Sequence, residues 1–255
     1  MAVIWGLDLR EMQWGKFKNS YMWNTEYHLR RTKFIVYQCA MIFCVVSESL
    51  GTAALSDYVD QQSFVAKHNP DAYVFNNDYI GAASYNIFVG IYVATIFGSG
   101  FFFDLFWPER YESPAVKLAW RICSVLACVF ALASALTLTI ITATHSAYVT
   151  GVDAPEATRL LEAYGGSPMR YRKNGRAIAS VVFLWPGFVA TVASTVILWM
   201  SLSHNDRLGP KSTHAREAEK GFGGAPVVDG PADTTSDVAR PDNVHVNGDK
   251  TYEGV

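Results

Sequence analysis

AWRICSVLACVFALASALTLTIITA, residues Ala119–Ala143, decides how this chain is read. Its one charge is Arg121; the rest is apolar or small. At 1.5 Å per residue a helix of this stretch is about 36 Å long, enough for the roughly 30 Å hydrocarbon core of a bilayer. Every fourth residue is small: Ala119, Cys123, Ala127, Ala131, Ala135, Thr139, Ala143. Such a ridge would be a poor core in water. In lipid it lets helix backbones approach closely. The ridge drifts about 40° every four residues, because a turn takes 3.6. Its ends and its middle therefore meet different surroundings. Alanine is also simply common in membrane helices, so composition alone could produce the pattern. The packing reading makes this the central helix of a membrane bundle, with Ala127, Ala131 and Ala135 as contact points.

The remaining chain agrees. Hydrophobic residues make up 50% and charged residues 17% of the 255, and the apolar ones are bunched into long runs. A net charge of −2 gives no global electrostatic case for nucleic acid. Cys39, Cys44, Cys123 and Cys128 all fall within apolar runs, which excludes a disulfide framework or a zinc-type pair. Residues 1–33 are too polar to read as a signal peptide. They mix Trp5, Trp14, Tyr21, Trp23 and Tyr27 with basic residues, which suits an arm lying partly in the headgroup layer.

Four spans are expected: 34–55, 79–103, 119–143 and 177–202. A polar loop is expected from Ser56 to Asp78, with Asn69-Pro70 as its turn. The second run doubles a small-xxx-small pattern with Gly90, Ala94 and Gly98. In the loop after the third run, Asp153, Pro155 and Glu156 start a short helix that Gly165-Gly166 stop. Pro186-Gly187 should kink the fourth run. Residues 203–255 are rich in Gly, Pro, Asp, Thr and Ser and read as a disordered tail. The fold class is therefore all-α: an integral membrane four-helix bundle (34–202) between an N-terminal arm (1–33) and that tail.

Four spans put both termini on one side. With the termini in the cytoplasm, thirteen Lys and Arg flank the spans inside and six outside, which favours that orientation. Arg170, Arg172, Lys173 and Arg176 dissent, being basic on the outer side. Plasma membrane and internal membranes are equally compatible.

The chemistry of an enzyme is not written here. There is no HExxH, GxSxG or P-loop motif, and the histidines are scattered. Asp57 and Asp60 make one DxxD spacing without a second acidic cluster, which reads as a solvated loop. No catalytic residue, metal ligand or cofactor site is assigned. One constellation stands out: Glu48, Asn86, Thr142, His145 and Ser180 place a polar group from each span at one depth. A carboxylate in lipid is costly and should turn inward to a partner. The group reads as interhelical polar glue, with a proton or solute relay as the alternative. A relay would need ionisable steps in the inner half too, where Arg121 and Asp104 lie near the boundary.

The layout of four spans, a short second loop, longer outer loops and a polar tail resembles MARVEL-like and claudin-like four-span membrane organisers. The stretch YRKNGRAIASVVFLWPGFVATVASTVILWM is similar to fungal four-span proteins. The first outer loop lacks the Gly-Leu-Trp and paired-Cys signature of claudins, and no functional residue carries over. The resemblance implies a lateral organiser or trafficking component without catalysis. Its partners would be the lipid bilayer, other membrane proteins or further copies of itself. A small transporter and an accessory subunit of a larger complex are the alternatives.

Overall fold

In a computed structural model, which describes residues 3–4 and 7–223, the chain is a bundle of four long apolar helices. Two short strands, β1 (Val3–Ile4) and β2 (Leu7–Asp8), pair antiparallel, and two 3-10 turns lead to α1 (Asn19–Met22). The bundle helices are α2 (Arg30–His68), α3 (Asn77–Phe106), α4 (Pro114–Thr144) and α6 (Gly175–Leu208), each long and apolar enough to cross a membrane. Between them lie β3 (Tyr73–Phe75), β4 (Tyr148–Thr150) and α5 (Ala154–Tyr164); α7 (Thr213–Gly223) follows.

The helix starts follow from local chemistry. Ser113 caps α4 by accepting from Val116 N, with Pro114 in the first turn, where its missing N–H costs nothing. Asn174 caps α6 by accepting from Arg176 N at 3.0 Å and Ala177 N at 3.4 Å. α6 is continuous helix across Pro186-Gly187. The helices form a ring in which α2 and α4 are diagonal, each packed on α3 and α6. This corrects one expectation: the most extensive packing belongs to α2, not to the Ala119–Ala143 helix. The small-residue ridge of α4 does drift as geometry requires. Ala127, Ala131 and Ala135 are buried, whereas Ala119 and Ala143 at its ends are exposed.

The expected loop Ser56–Asp78 is largely helix. α2 continues past its apolar run to His68, because Tyr58, Gln61 and Val65 keep a buried stripe at helical spacing. This overhang carries a cap built from two loops. β3 and β4 pair antiparallel, Val74 opposite Val149, with the Phe75 and Tyr148 rings stacked at 5.2 Å. Gly151, at φ +88°, abuts the Asp71 carbonyl, where a side chain would collide with backbone. The predicted helix of that loop is α5; its Leu160 is buried with Val65, Ala72 and Val74.

The opposite end interlocks the N-terminal arm with the chain after α6. Ser212 N donates to Glu26 O at 2.7 Å and His28 N to Pro210 O at 3.2 Å. The tail read from Ser203 is thus ordered at its start: α6 extends to Leu208 and α7 follows. Residues 224–255 and Trp5 of the arm lie outside the described residues.

Candidate functional site

The middle of the bundle holds one continuous hydrogen-bonded chain that touches all four spans. Ser134 Oγ of α4 donates to Asn86 Oδ1 of α3 at 3.2 Å, and Asn86 Nδ2 donates to Ser47 Oγ of α2 at 3.2 Å. Ser47 Oγ donates to Ser180 O of α6, and Ser180 Oγ returns a bond to Ser47 O, both at 2.8 Å. All four side chains are at most 1% exposed. Small residues allow the approach: a Cβ at Gly51 would lie 3.2 Å from Ser180 Oγ and 3.5 Å from Asn86 Nδ2.

Of the five polar residues singled out in the sequence, the structure joins Asn86 and Ser180 through this chain, by way of Ser47 and Ser134. Glu48 is not a member. It is half-buried on the neighbouring face of α2, lying over Gly90 of α3, and its carboxylate makes no hydrogen bond or ion pair among the described residues. Thr142 is buried, and its hydroxyl finds no partner among the described residues. His145 belongs to a separate layer at the cap end, where Nδ1 lies 2.7 Å from Asp78 Oδ2. In that layer Tyr171 Oη donates to Asp78 Oδ1 at 2.6 Å. Burial, and then the adjacent Asp78 carboxylate, push the Tyr171 hydroxyl well above its ordinary pKa. Asp57, read as a solvated loop acid, sits on α2 and pairs with Arg176 at 2.7 Å. That pair uses part of the basic run that dissented on orientation.

The helix-packing residues divide similarly. Gly90 and Gly98 both face α2: a Cβ at Gly90 would meet Glu48, and one at Gly98 would lie 3.1 Å from Met41 Sδ. Ala94 between them is half-buried. Ala127, Ala131 and Ala135 are fully buried on α4.

A third polar layer lies at the arm end, of which the sequence reading singled out only the boundary acid Asp104. Lys33 Nζ of α2 lies 2.7 Å from Asp104 Oδ2 of α3 and 3.1 Å from Ser201 Oγ of α6. Arg110 Nη1 lies 3.0 Å from Asp104 Oδ1, and its Nε donates to Glu112 at 2.7 Å. Burial works against the Arg110 charge; Asp104 and Glu112 more than offset it and hold its pKa above the usual value. The available signal was positional. Lys33 directly precedes the first apolar run and Asp104 directly ends the second, so four-span topology sets them at one level.

Outside this layer the arm packs on α3. Trp107 Nε1 donates to Asp8 O at 2.9 Å, Lys16 Nζ donates to Phe106 O at 2.6 Å, and Trp14 is left 89% exposed. Between arm and α3 runs an apolar groove of about 650 Å³, lined by Met12, Trp14, Phe17, Phe102 and Phe106. Among the described residues no cluster of three or more His, Cys, Asp or Glu could hold a metal ion. Comparison with family models, curated proteins and solved structures finds no match to this chain.

Proposed function

We propose that this four-span membrane protein is a non-catalytic lateral organiser, a scaffold for neighbouring proteins or lipids. The observation that carries the reading is the Ser134–Asn86–Ser47–Ser180 chain. The central polar groups of all four helices are bonded to one another, so they act as interhelical ties. Each tie in a membrane contributes about 0.6 kcal/mol, a modest sum that fixes register more than it adds stability. What remains for contacts is the apolar outer surface, exposed at Ile91, Ile122, Val129, Ile140 and Val196, and the two end caps. The architectural resemblance to MARVEL-like and claudin-like organisers supports the same reading, as does placement of both termini in the cytoplasm by the thirteen-to-six basic asymmetry.

A second reading, a small transporter, is favoured by Glu48: a half-buried intramembrane carboxylate without a partner among the described residues is a functional candidate. Proteoliposomes separate the two. The organiser should give no proton or solute flux above empty vesicles, and in lipid nanodiscs it should retain a reproducible set of proteins or lipids. A flux driven by pH and abolished by Glu48→Gln, with folding unchanged, would establish the transporter instead.

A further inference from the structure

Two apolar grooves meet on the outer surface of α3 at the arm end of the bundle. The first is the groove of about 650 Å³ between arm and α3. The second, of about 570 Å³, runs between α3 and α4 and is lined by Ile96, Val116, Ala119, Trp120 and Cys123. Ser99 and Phe103 border both. Phe103 is the ridge that parts them, and its neighbours hold it in place. The Arg110 guanidinium lies 5.3 Å from its ring centroid, and the Trp107 and Trp120 rings flank it at 6.1 and 6.3 Å.

Depth and polarity decide what the grooves can take. The Lys33–Asp104–Arg110 layer sets the level down to which charge is present, since ions are costly deeper in hydrocarbon. From Asp104 the second groove descends α3 as far as Ile96, about 12 Å along the helix. One leaflet contributes roughly 15 Å of hydrocarbon, so the groove follows most of an acyl chain's depth. The first groove runs beside it as far as Ser99.

The mouths carry no net charge. Residues 7–18 and 107–113 frame them with four basic residues (Arg10, Lys16, Lys18, Arg110) and four acidic ones (Asp8, Glu11, Glu109, Glu112). Lys16 pairs with Glu11 and Arg110 with Glu112, while Asp104 is matched by Lys33. Lys117 and Arg121 of α4 turn to α6, where they share Asp206. One exposed aromatic ring stands at each mouth, Trp14 at the first and Tyr111 at the second. Rings at headgroup level attract a quaternary ammonium.

We propose that the two grooves together bind one two-chain zwitterionic phospholipid of the arm-side leaflet, with an acyl chain on each side of Phe103 and a phosphocholine headgroup beside Trp14 and Tyr111. Two grooves meeting at one ridge match two chains joined at one glycerol. A neutral rim offers no net attraction to an anionic headgroup. The lipid touches arm, α3 and α4 at once and so fastens the arm to the spans. A transporter would hold it equally, so the proposal stands apart from the organiser reading.

The test uses the full chain in mild detergent, stripped of lipid and then given an equimolar mixture of phosphatidylcholine, phosphatidylglycerol, lysophosphatidylcholine and diacylglycerol with matched chains. Native mass spectrometry should find one phosphatidylcholine per protein, retained about tenfold more than each of the others. Phosphatidylcholine with photoreactive acyl chains should label residues 12–17 and 116–123 as well as α3. Ser99→Trp fills the junction of the grooves and should remove the retained lipid while leaving Tm in lipid-free detergent unchanged. If that variant does not fold, Val116→Trp, which obstructs the second groove alone, should bring phosphatidylcholine down to the retention of lysophosphatidylcholine. Equal retention of lysophosphatidylcholine by the wild type would refute the two-chain site. Equal or higher retention of phosphatidylglycerol or diacylglycerol would refute the headgroup. Labelling spread evenly over all four spans would mean ordinary boundary lipid, and undiminished retention in the folded variant would equally overturn the proposal.

Discussion

Gly187→Ala tests the helix packing where a glycine lies against the backbone of the neighbouring helix. Gly187 of α6 faces α2, and a Cβ there would lie 2.9 Å from Cys44 Sγ, 3.3 Å from Cys44 N and 3.5 Å from the Phe43 carbonyl carbon. The sulfur can turn aside, but the α2 backbone cannot without separating the helices. Two effects oppose one another. Alanine gains about 1 kcal/mol over glycine within a helix, whereas overpacking a close-fitting interface costs about 1 to 3 kcal/mol. With two of the three contacts on rigid backbone, the cost should prevail, by about 1 kcal/mol. For a chain this size that is a fall in Tm of about 2 to 4 °C, read by thermal unfolding in detergent.

The control is Gly81→Ala on α3, where a Cβ would meet nothing within 4 Å. There only the propensity gain operates, so Tm should hold or rise. Cys44→Ala combined with Gly187→Ala should recover part of the loss, the share due to Sγ, and leave the share due to backbone. If Gly187→Ala proves as stable as Gly81→Ala, the α2–α6 approach is looser than described and the argument fails.

Other substitutions probe the remaining layers. Ala131→Leu should destabilise by about 1 to 3 kcal/mol because its site is fully buried, while Val129→Leu, 54% exposed, should stay within about 0.5 kcal/mol; equal shifts in Tm would make the α4 ridge incidental. Asp104→Asn should cost about 3 to 5 kcal/mol by leaving Lys33 without a carboxylate and Arg110 with Glu112 alone; Asp206→Asn, 38% exposed in its pairs with Lys117 and Arg121, should change Tm little. Glu48→Gln should leave Tm unchanged, whereas Asn86→Leu should lower it; the reverse order would put Glu48 rather than Ser47 at the centre of the ties. His28 has a lowered pKa when folded, so its contribution is intact above its ordinary 6.5 and is lost as pH falls from 6.5 toward the lowered value. The protection of the Lys211 and Ser212 amides against exchange should accordingly weaken below about pH 6.5 and respond less to pH in His28→Gln.

Apolar run length is a strong signal because a bilayer demands it, and all four spans were legible from that alone. The extension of α2 was less visible. The segment SDYVDQQSFVAKH carries enough Asp, Gln and Ser to read as a loop, yet Tyr58, Gln61 and Val65 repeat at helical spacing and meet the cap. The β3–β4 pair could not be read. Its three-residue strands lie in different loops, far apart in sequence, and too few residues alternate to give a period. The ionic layer was legible only in part: Asp104 was noticed as a boundary acid, but its partners Lys33 and Arg110 come from other segments.

The central site shows where sequence reasoning stops, at two adjacent residues. Glu48 drew attention because a charge in an apolar run is conspicuous, and Ser47 did not because hydroxyls are common in membrane helices. Successive residues on a helix point about 100° apart. Once Ser47 faces Asn86 and Ser180 at the centre of the bundle, Glu48 cannot face them too. It turns instead toward α3, where Gly90 has no side chain to obstruct it. The glycine pattern that read as helix packing and the acid that read as polar glue are therefore one local arrangement, a carboxylate seated on a side-chain-free patch of the next helix. The ties that hold the four spans do not depend on it. A substitution at Glu48 can therefore test the transporter reading without disturbing them.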